Sequence, residues 1–141
     1  MKIVIAEKIS PSAIDLLREE SRWTLVTPEQ VDGDLTRHIE AADALIVRSA
    51  VDVNAAILEH ARKLRVIGRA GVGVDNIDLE AATRKGIAVM NTPGANAVAV
   101  AEHTLALMLA LARHVCQANE LTRAGRWEKK RSEEPSCRER G

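Results

Sequence analysis

The sequence predicts an α/β layer built around a parallel sheet, and three observations carry that expectation. Short apolar runs rich in Val and Ile recur from the first residues onward. Unbroken runs of this kind suit strands buried on both faces, as a parallel sheet requires. Helix-start and helix-stop residues lie between the runs, so strands and helices alternate. The composition is that of a packed globular chain, with 46% hydrophobic and 28% charged residues among 141. That length holds one domain, or one domain and a piece of another.

In order, strands are expected at "KIVIA" (2–6), "WTLV" (23–26), "ALIV" (44–47), "LRVIG" (64–68) and "IAVM" (87–90). Ser10 caps a first helix with Pro11 in its first turn, and Thr27-Pro28 repeats the device. Gly33 interrupts or shortens that second helix. Asn54 caps "AAILEHARK", and Asp78 caps "LEAATRK", which Gly86 ends. Five β-α alternations of this length give a doubly wound five-stranded parallel sheet, flavodoxin-like in strand order, over residues 1–95.

The pattern changes from Asn96. "AVAVAEHTLALMLALARHV" (97–115) reads as a helix that is apolar nearly all round. Its charge-free stretch, Thr104 to Ala112, falls far short of the roughly 20 residues of a membrane span. Such a helix belongs inside a larger body or between subunits, so a homo-oligomer formed through 97–115 is expected. "QANELTRAG" (117–125) reads as a following helix stopped by Gly125. Residues 96–127 thus open a second, incomplete domain. The remaining "EKKRSEEPSCRERG" (128–141) is dense in charge and without hydrophobic periodicity, and a solvated, disordered tail is expected there.

Composition also excludes function classes. Twenty basic residues balance twenty acidic ones, leaving no charge footprint for nucleic acid or a membrane surface. Trp23 and Trp127 are the only aromatic residues, too few for base or flavin stacking. Cys116 and Cys137 are far apart, with no CxxC and no His at ligand spacing, so neither a metal site nor a disulfide framework is expected. The apolar run before Glu7 is too short for a signal peptide, and a reducing, cytoplasmic setting is expected.

Gly71-Val72-Gly73 is spaced like the start of a dinucleotide loop. The third glycine position, however, holds Asn76, and no Asp or Glu stands between Glu80 and Glu102 to bind a ribose. The loop is therefore not read as a cofactor site. Ligands of an open parallel sheet bind beyond the carboxyl ends of its strands. Arg48 and Ser49 follow the third strand there. Arg69 and the peptide N–H groups of Gly71, Val72 and Gly73 follow the fourth, and "NTPGAN" with Asn91 and Asn96 follows the fifth.

Two guanidinium groups, a hydroxyl and backbone donors suit a small anion bearing carboxylate or phosphate. A lone Arg in such a place is more often a solvated surface residue, and the glycines alone would serve a tight turn. Convergence of three strand ends favours the anion site. His38, His60, His103 and His114 lie in helical segments without a paired nucleophile and are read as structural or solvated. Asp75, beside Asn76, is read as fixing the loop by hydrogen bonds. No catalytic residue is identified.

"GRAGVGVDNIDLEAATRKGIAVMNTPGAN" (68–96), followed by "AEHTLALMLALAR" (101–113), resembles the D-isomer-specific 2-hydroxyacid dehydrogenases. The resemblance spans residues 1 to about 130. "LIVRSA" (45–50) and "GRWEKK" (125–130) are similar to the branch that oxidises 3-phosphoglycerate with NAD on the way to serine. The resemblance implies that residues 1–95 form the first part of a substrate domain. It also implies that the 97–115 helix enters a nucleotide-binding domain near its dimer interface. On that pattern Arg48 and Ser49 hold the substrate phosphate with Arg69 nearby, the backbone of Gly71-Val72-Gly73 receives the carboxylate, and Asn96 lines the active site. Lys129 and Lys130 resemble the cluster that reaches a neighbouring subunit's phosphate site.

After "WEKK" the family continues to a full G-x-G-x-x-G, a ribose-binding Asp, and a catalytic Arg, Glu and His. "RSEEPSCRERG" supplies none of them. The chain thus resembles the front part of such an enzyme, expected to bind the acid but to lack catalysis and tight NAD binding by itself. A fragment of a glyoxylate, hydroxypyruvate or lactate-type dehydrogenase stays open, as does a non-catalytic anion-binding or interaction module. A receiver-type module needs acidic residues where Glu7-Lys8 and Arg48-Ser49 stand, and "EKISPSA" is no flavin phosphate loop.

Overall fold

The computed structural model describes residues 1–127. The 128–141 segment, with its expected tail, lies outside the described residues. Two compact units form, Met1–Ala95 and one that opens at Asn96.

In the first unit, β1 (Lys2–Ile5), β2 (Thr24–Val26), β3 (Ala44–Val47), β4 (Val66–Arg69) and β5 (Ala88–Met90) make one sheet. All pairs are parallel and the order is β2-β1-β3-β4-β5, the flavodoxin-like order that the alternation implied. Leu45 of β3 stands level with Val4 of β1 and Ile67 of β4. Side chains alternate across a strand, so Val4, Leu45, Val47 and Ile67 point to one face and Ile3, Ile5 and Ala44 to the other. Both sets are buried, which is why the sequence shows unbroken apolar runs rather than alternation.

Helices lie on both faces. α1 (Pro11–Arg18) packs Ile14 and Leu17 against Ile3 and Ile5. The opposite face takes α2 (Pro28–Val31), α3 (Leu35–Ile39), α4 (Ala55–His60) and α5 (Leu79–Arg84), which bury Val31, Ile39, Leu58 and Ala82. Three helix starts use the caps expected of them. Ser10, Asn54 and Asp78 accept from the N–H groups of Ala13, Ile57 and Ala81 at 3.3, 3.0 and 2.8 Å. Each satisfies a donor that the first turn would leave unpaired. The interruption foreseen at Gly33 divides the second helix into α2 and α3, with Asp32 and Gly33 both left-handed at φ 44° and 77°.

The second unit holds α6 (Ala97–Ala112) and α7 (Val115–Arg123). The expected continuous helix over 97–115 is thus broken near its end, where His114 takes a left-handed φ of 51°. No Gly or Pro marks that break in the sequence. Histidine enters this backbone region more readily than most residues, which makes the kink tolerable at that position. Val98, Leu105, Met108 and Leu111 of α6 are exposed, Leu111 by 79%. Among the described residues no single helix is long and apolar enough to cross a membrane, and α6 and α7 are bent by 63° at their break.

Candidate active site: the carboxyl ends of β3 and β4

The sheet order sets the site. β1, β3, β4 and β5 are successive neighbours, so Glu7, Arg48, Arg69 and Asn91 all emerge at one edge of the layer. Hydrogen bonds then tie these loops together. Arg69 Nε donates to the Arg48 carbonyl at 3.2 Å, and Asn76 Nδ2 donates to the same carbonyl at 2.9 Å and to that of Val51 at 2.7 Å. The Val53 N–H donates to the Asn76 carbonyl and the Asp78 N–H to the Val53 carbonyl, zipping the two loops further along. On the other side, the Thr92 N–H and Asn91 Nδ2 donate to the carbonyls of Gly71 and Val72 at 2.9 and 2.6 Å. The glycine loop's carbonyls at Gly71 and Val72 are therefore engaged by the loop after β5.

Its N–H groups divide. The Gly71 N–H closes a tight turn onto the Arg69 carbonyl at 2.9 Å, which corrects the expectation that all three of its donors are open. The N–H groups of Val72 and Gly73 have no partner among the described residues, and both residues are exposed. Neither Gly71 nor Gly73 has a left-handed φ, so a turn is not what demands glycine here. A Cβ at Gly71 would meet the Arg69 guanidinium and one at Gly73 would lie 2.7 Å from Asp75 Oδ1, in both cases the far end of a flexible side chain that can move aside.

Two positive charges stand at this edge. Arg48 and Ser49 are exposed and Arg69 is half-buried. Arg48 Nη1 donates to the Lys8 carbonyl at 3.3 Å, and Arg69 uses its Nε as above; their remaining N–H groups have no partner among the described residues. Neither arginine forms an ion pair among the described residues, whose pairs are Arg18–Asp15, Arg22–Glu20, Arg62–Glu40 and Arg84–Glu80. A guanidinium fork with no carboxylate on it is available to phosphate or carboxylate.

Two residues central to this geometry carried no functional reading in the sequence. Glu7 accepts from the N–H groups of Arg48, Ala50 and Val51 at 2.8, 3.1 and 3.1 Å. Asn76, not Asp75, is the side chain that fixes the loop, a correction to the expectation above. Position would have flagged both: Glu7 stands just past a central strand, and Asn76 stands where a dinucleotide loop has glycine. Asn96 opens the second unit before α6, and the first unit's site is built without it. Lys129 and Lys130 lie outside the described residues. Among the described residues no His, Cys, Asp and Glu cluster could hold a metal ion.

Glu7 makes the site pH-sensitive in one direction. Partial burial pushes its carboxyl up, but the N–H groups of Arg48, Ala50 and Val51 and the Arg48 charge outweigh that and hold it below the ordinary 4.5. A carboxylate lowered by folding stabilises the native state above its unfolded pKa and ceases to do so as pH falls through its folded value. The stability gap between wild type and Glu7→Gln is therefore expected to be full above pH 4.5 and to close below it. Urea titrations at several pH values would check this, and a gap unchanged in acid would contradict it.

A five-stranded parallel α/β layer of this order fits the class, and residues 3–133 match the model for the D-isomer specific 2-hydroxyacid dehydrogenase catalytic domain. The chain belongs to that family. It is 45% identical over 131 residues to the D-3-phosphoglycerate dehydrogenase of Archaeoglobus fulgidus, an alignment covering 93% of this chain and 25% of that one. The cofactor (NAD+)-bound 3-phosphoglycerate dehydrogenase of Entamoeba histolytica superposes with a TM-score of 0.67 at 35% identity, over 80% of this chain and 39% of that one. The TT0316 protein of Thermus thermophilus superposes with a TM-score of 0.80 at 34% identity, over 91% and 42%. The chain spans about a quarter of the length of the curated relatives it matches.

NAD, which structural neighbours hold, has no cradle in residues 68–80. A pyrophosphate would need the N-terminus of the helix after the glycine loop. At α5 that place is filled by the chain's own Asp78 carboxylate, and Asn76 ties the loop down to the β3 loop instead.

Proposed function

We propose that this chain is the acid-binding part of an NAD-dependent dehydrogenase that acts on the CH–OH group of 3-phosphoglycerate. The observation that carries the reading is the pair of arginines without an ion-pair partner among the described residues, Arg48 and Arg69, beside the open N–H groups of Val72 and Gly73. Arg48 and Ser49 take the phosphate, with Arg69 as the second cation. The N–H groups of Val72 and Gly73 take the carboxylate. Relatives named D-3-phosphoglycerate dehydrogenase support the choice of acid. In the same reading α6 docks on a second copy of the chain.

Hydride transfer needs a base at the hydroxyl and a cofactor held against the C–H bond. Residues 1–127 present neither, so the chain alone binds the acid without oxidising it. The purified 141-residue chain is expected to generate no NADH from NAD and 3-phosphoglycerate. In calorimetry the same chain should bind 3-phosphoglycerate more tightly than glycerate. Steady NADH production would overturn the first part. Equal affinity for the two acids would move the reading to a glyoxylate, hydroxypyruvate or lactate-type relative, which has no phosphate to recognise.

A further inference from the structure

Glu7 takes no part in holding the acid, yet it makes more hydrogen bonds to the Arg48–Val51 loop than any other described side chain. Successive N–H groups that converge on one point form an anion cradle. Here the N–H groups of Arg48 and Val51 converge on Glu7 Oε1, and that of Ala50 on Oε2. Asn76 grips the same loop by its carbonyls, at Arg48 and Val51. The Ser49 N–H and hydroxyl are left out of both sets, and Ser49 and Arg48 are both exposed.

We infer that Glu7 is a built-in anion and a positioning residue. Its carboxylate fills the cradle of N–H groups at residues 48, 50 and 51, keeps free anions out of it, and so holds Arg48 and Ser49 presented outward. Without it, the loop's strongest anion site would be its own backbone, and a phosphate would be drawn into the cradle and away from the side chains that recognise it. The consequence for ligand affinity rests on the phosphate-binding reading of Arg48 and Ser49; the filling of the cradle does not.

The test uses the full chain as wild type, Glu7→Ala and Glu7→Gln, observed by amide-resolved NMR while acetate and then inorganic phosphate are added. In Glu7→Ala the amides of Arg48, Ala50 and Val51 should lose hydrogen-exchange protection and then respond saturably to acetate, while in wild type they should not respond. Affinity for 3-phosphoglycerate should fall about tenfold, the loss of fixed charge-assisted contacts, and recover in part at saturating acetate. Glu7→Gln keeps the shape and one acceptor oxygen, so it reports on the charge even if the alanine variant folds poorly; it should show intermediate protection. An acetate response confined to Glu7→Ala supports the inference whether or not wild type binds 3-phosphoglycerate. Absence of wild-type binding would count against the acid-binding reading alone. Unchanged protection in both variants, or lost protection with no anion response, would overturn the inference.

Discussion

Arg48→Ala is expected to weaken 3-phosphoglycerate binding about tenfold to a hundredfold, the equivalent of about 1.5–3 kcal/mol for a hydrogen bond to a charged group. The size follows from what Arg48 is not doing. The Glu7 carboxylate feels the Arg48 charge but takes its hydrogen bonds from backbone N–H groups, and the guanidinium spends only one N–H, on the Lys8 carbonyl. Its other N–H groups have no partner among the described residues and are thus open to a ligand. Arg48→Lys keeps the charge but loses the planar fork and should fall between wild type and alanine. Affinity for glycerate, which lacks the phosphate, should barely change in either variant. Calorimetry at fixed ionic strength measures all three, since exposed charge contacts weaken with salt. Equal loss for both acids would show that Arg48 supports the loop rather than the phosphate.

The second large effect is expected at α6. Leu105 and Leu109 stand four residues apart on one side of that helix and are 60% and 55% exposed. Covering a leucine is worth about 1.5–3 kcal/mol, so a helix carrying this many uncovered aliphatic side chains favours association. Light scattering should report wild type as a dimer or larger species whose size grows with concentration. Leu105→Glu combined with Leu109→Glu should return it to the monomer mass, because burying either carboxylate without a partner is costly. A wild-type chain that stays monomeric at every concentration would remove α6 as a docking surface.

Most of the fold was legible because its signals are local. Apolar runs, Ser10, Asn54 and Asp78 as caps, and Gly33 as an interruption each act within a few residues. The five strands and the capped helices formed near where those signals put them, with α4 ending at His60 rather than running on to Lys63 and β4 beginning at Val66 rather than Leu64. The break at His114 was not legible, since nothing local forbids the helix from continuing there. At the site, Arg48, Ser49 and the glycine loop could be named from strand ends alone. What joins them could not. The Glu7 contacts span more than forty residues of sequence and those of Asn76 more than twenty, and only the strand order brings them together. The spent Gly71 N–H was hidden for a related reason, because a turn closed onto the preceding strand leaves no mark on composition.

The most direct measurement is an amide-resolved NMR titration of the isotope-labelled chain with 3-phosphoglycerate. An acid seated across the ends of β3 and β4 should give saturable shifts concentrated at Arg48, Ser49, Val72 and Gly73, with the Arg69 side chain following. Saturable shifts centred elsewhere, or none at these four residues, would contradict the site.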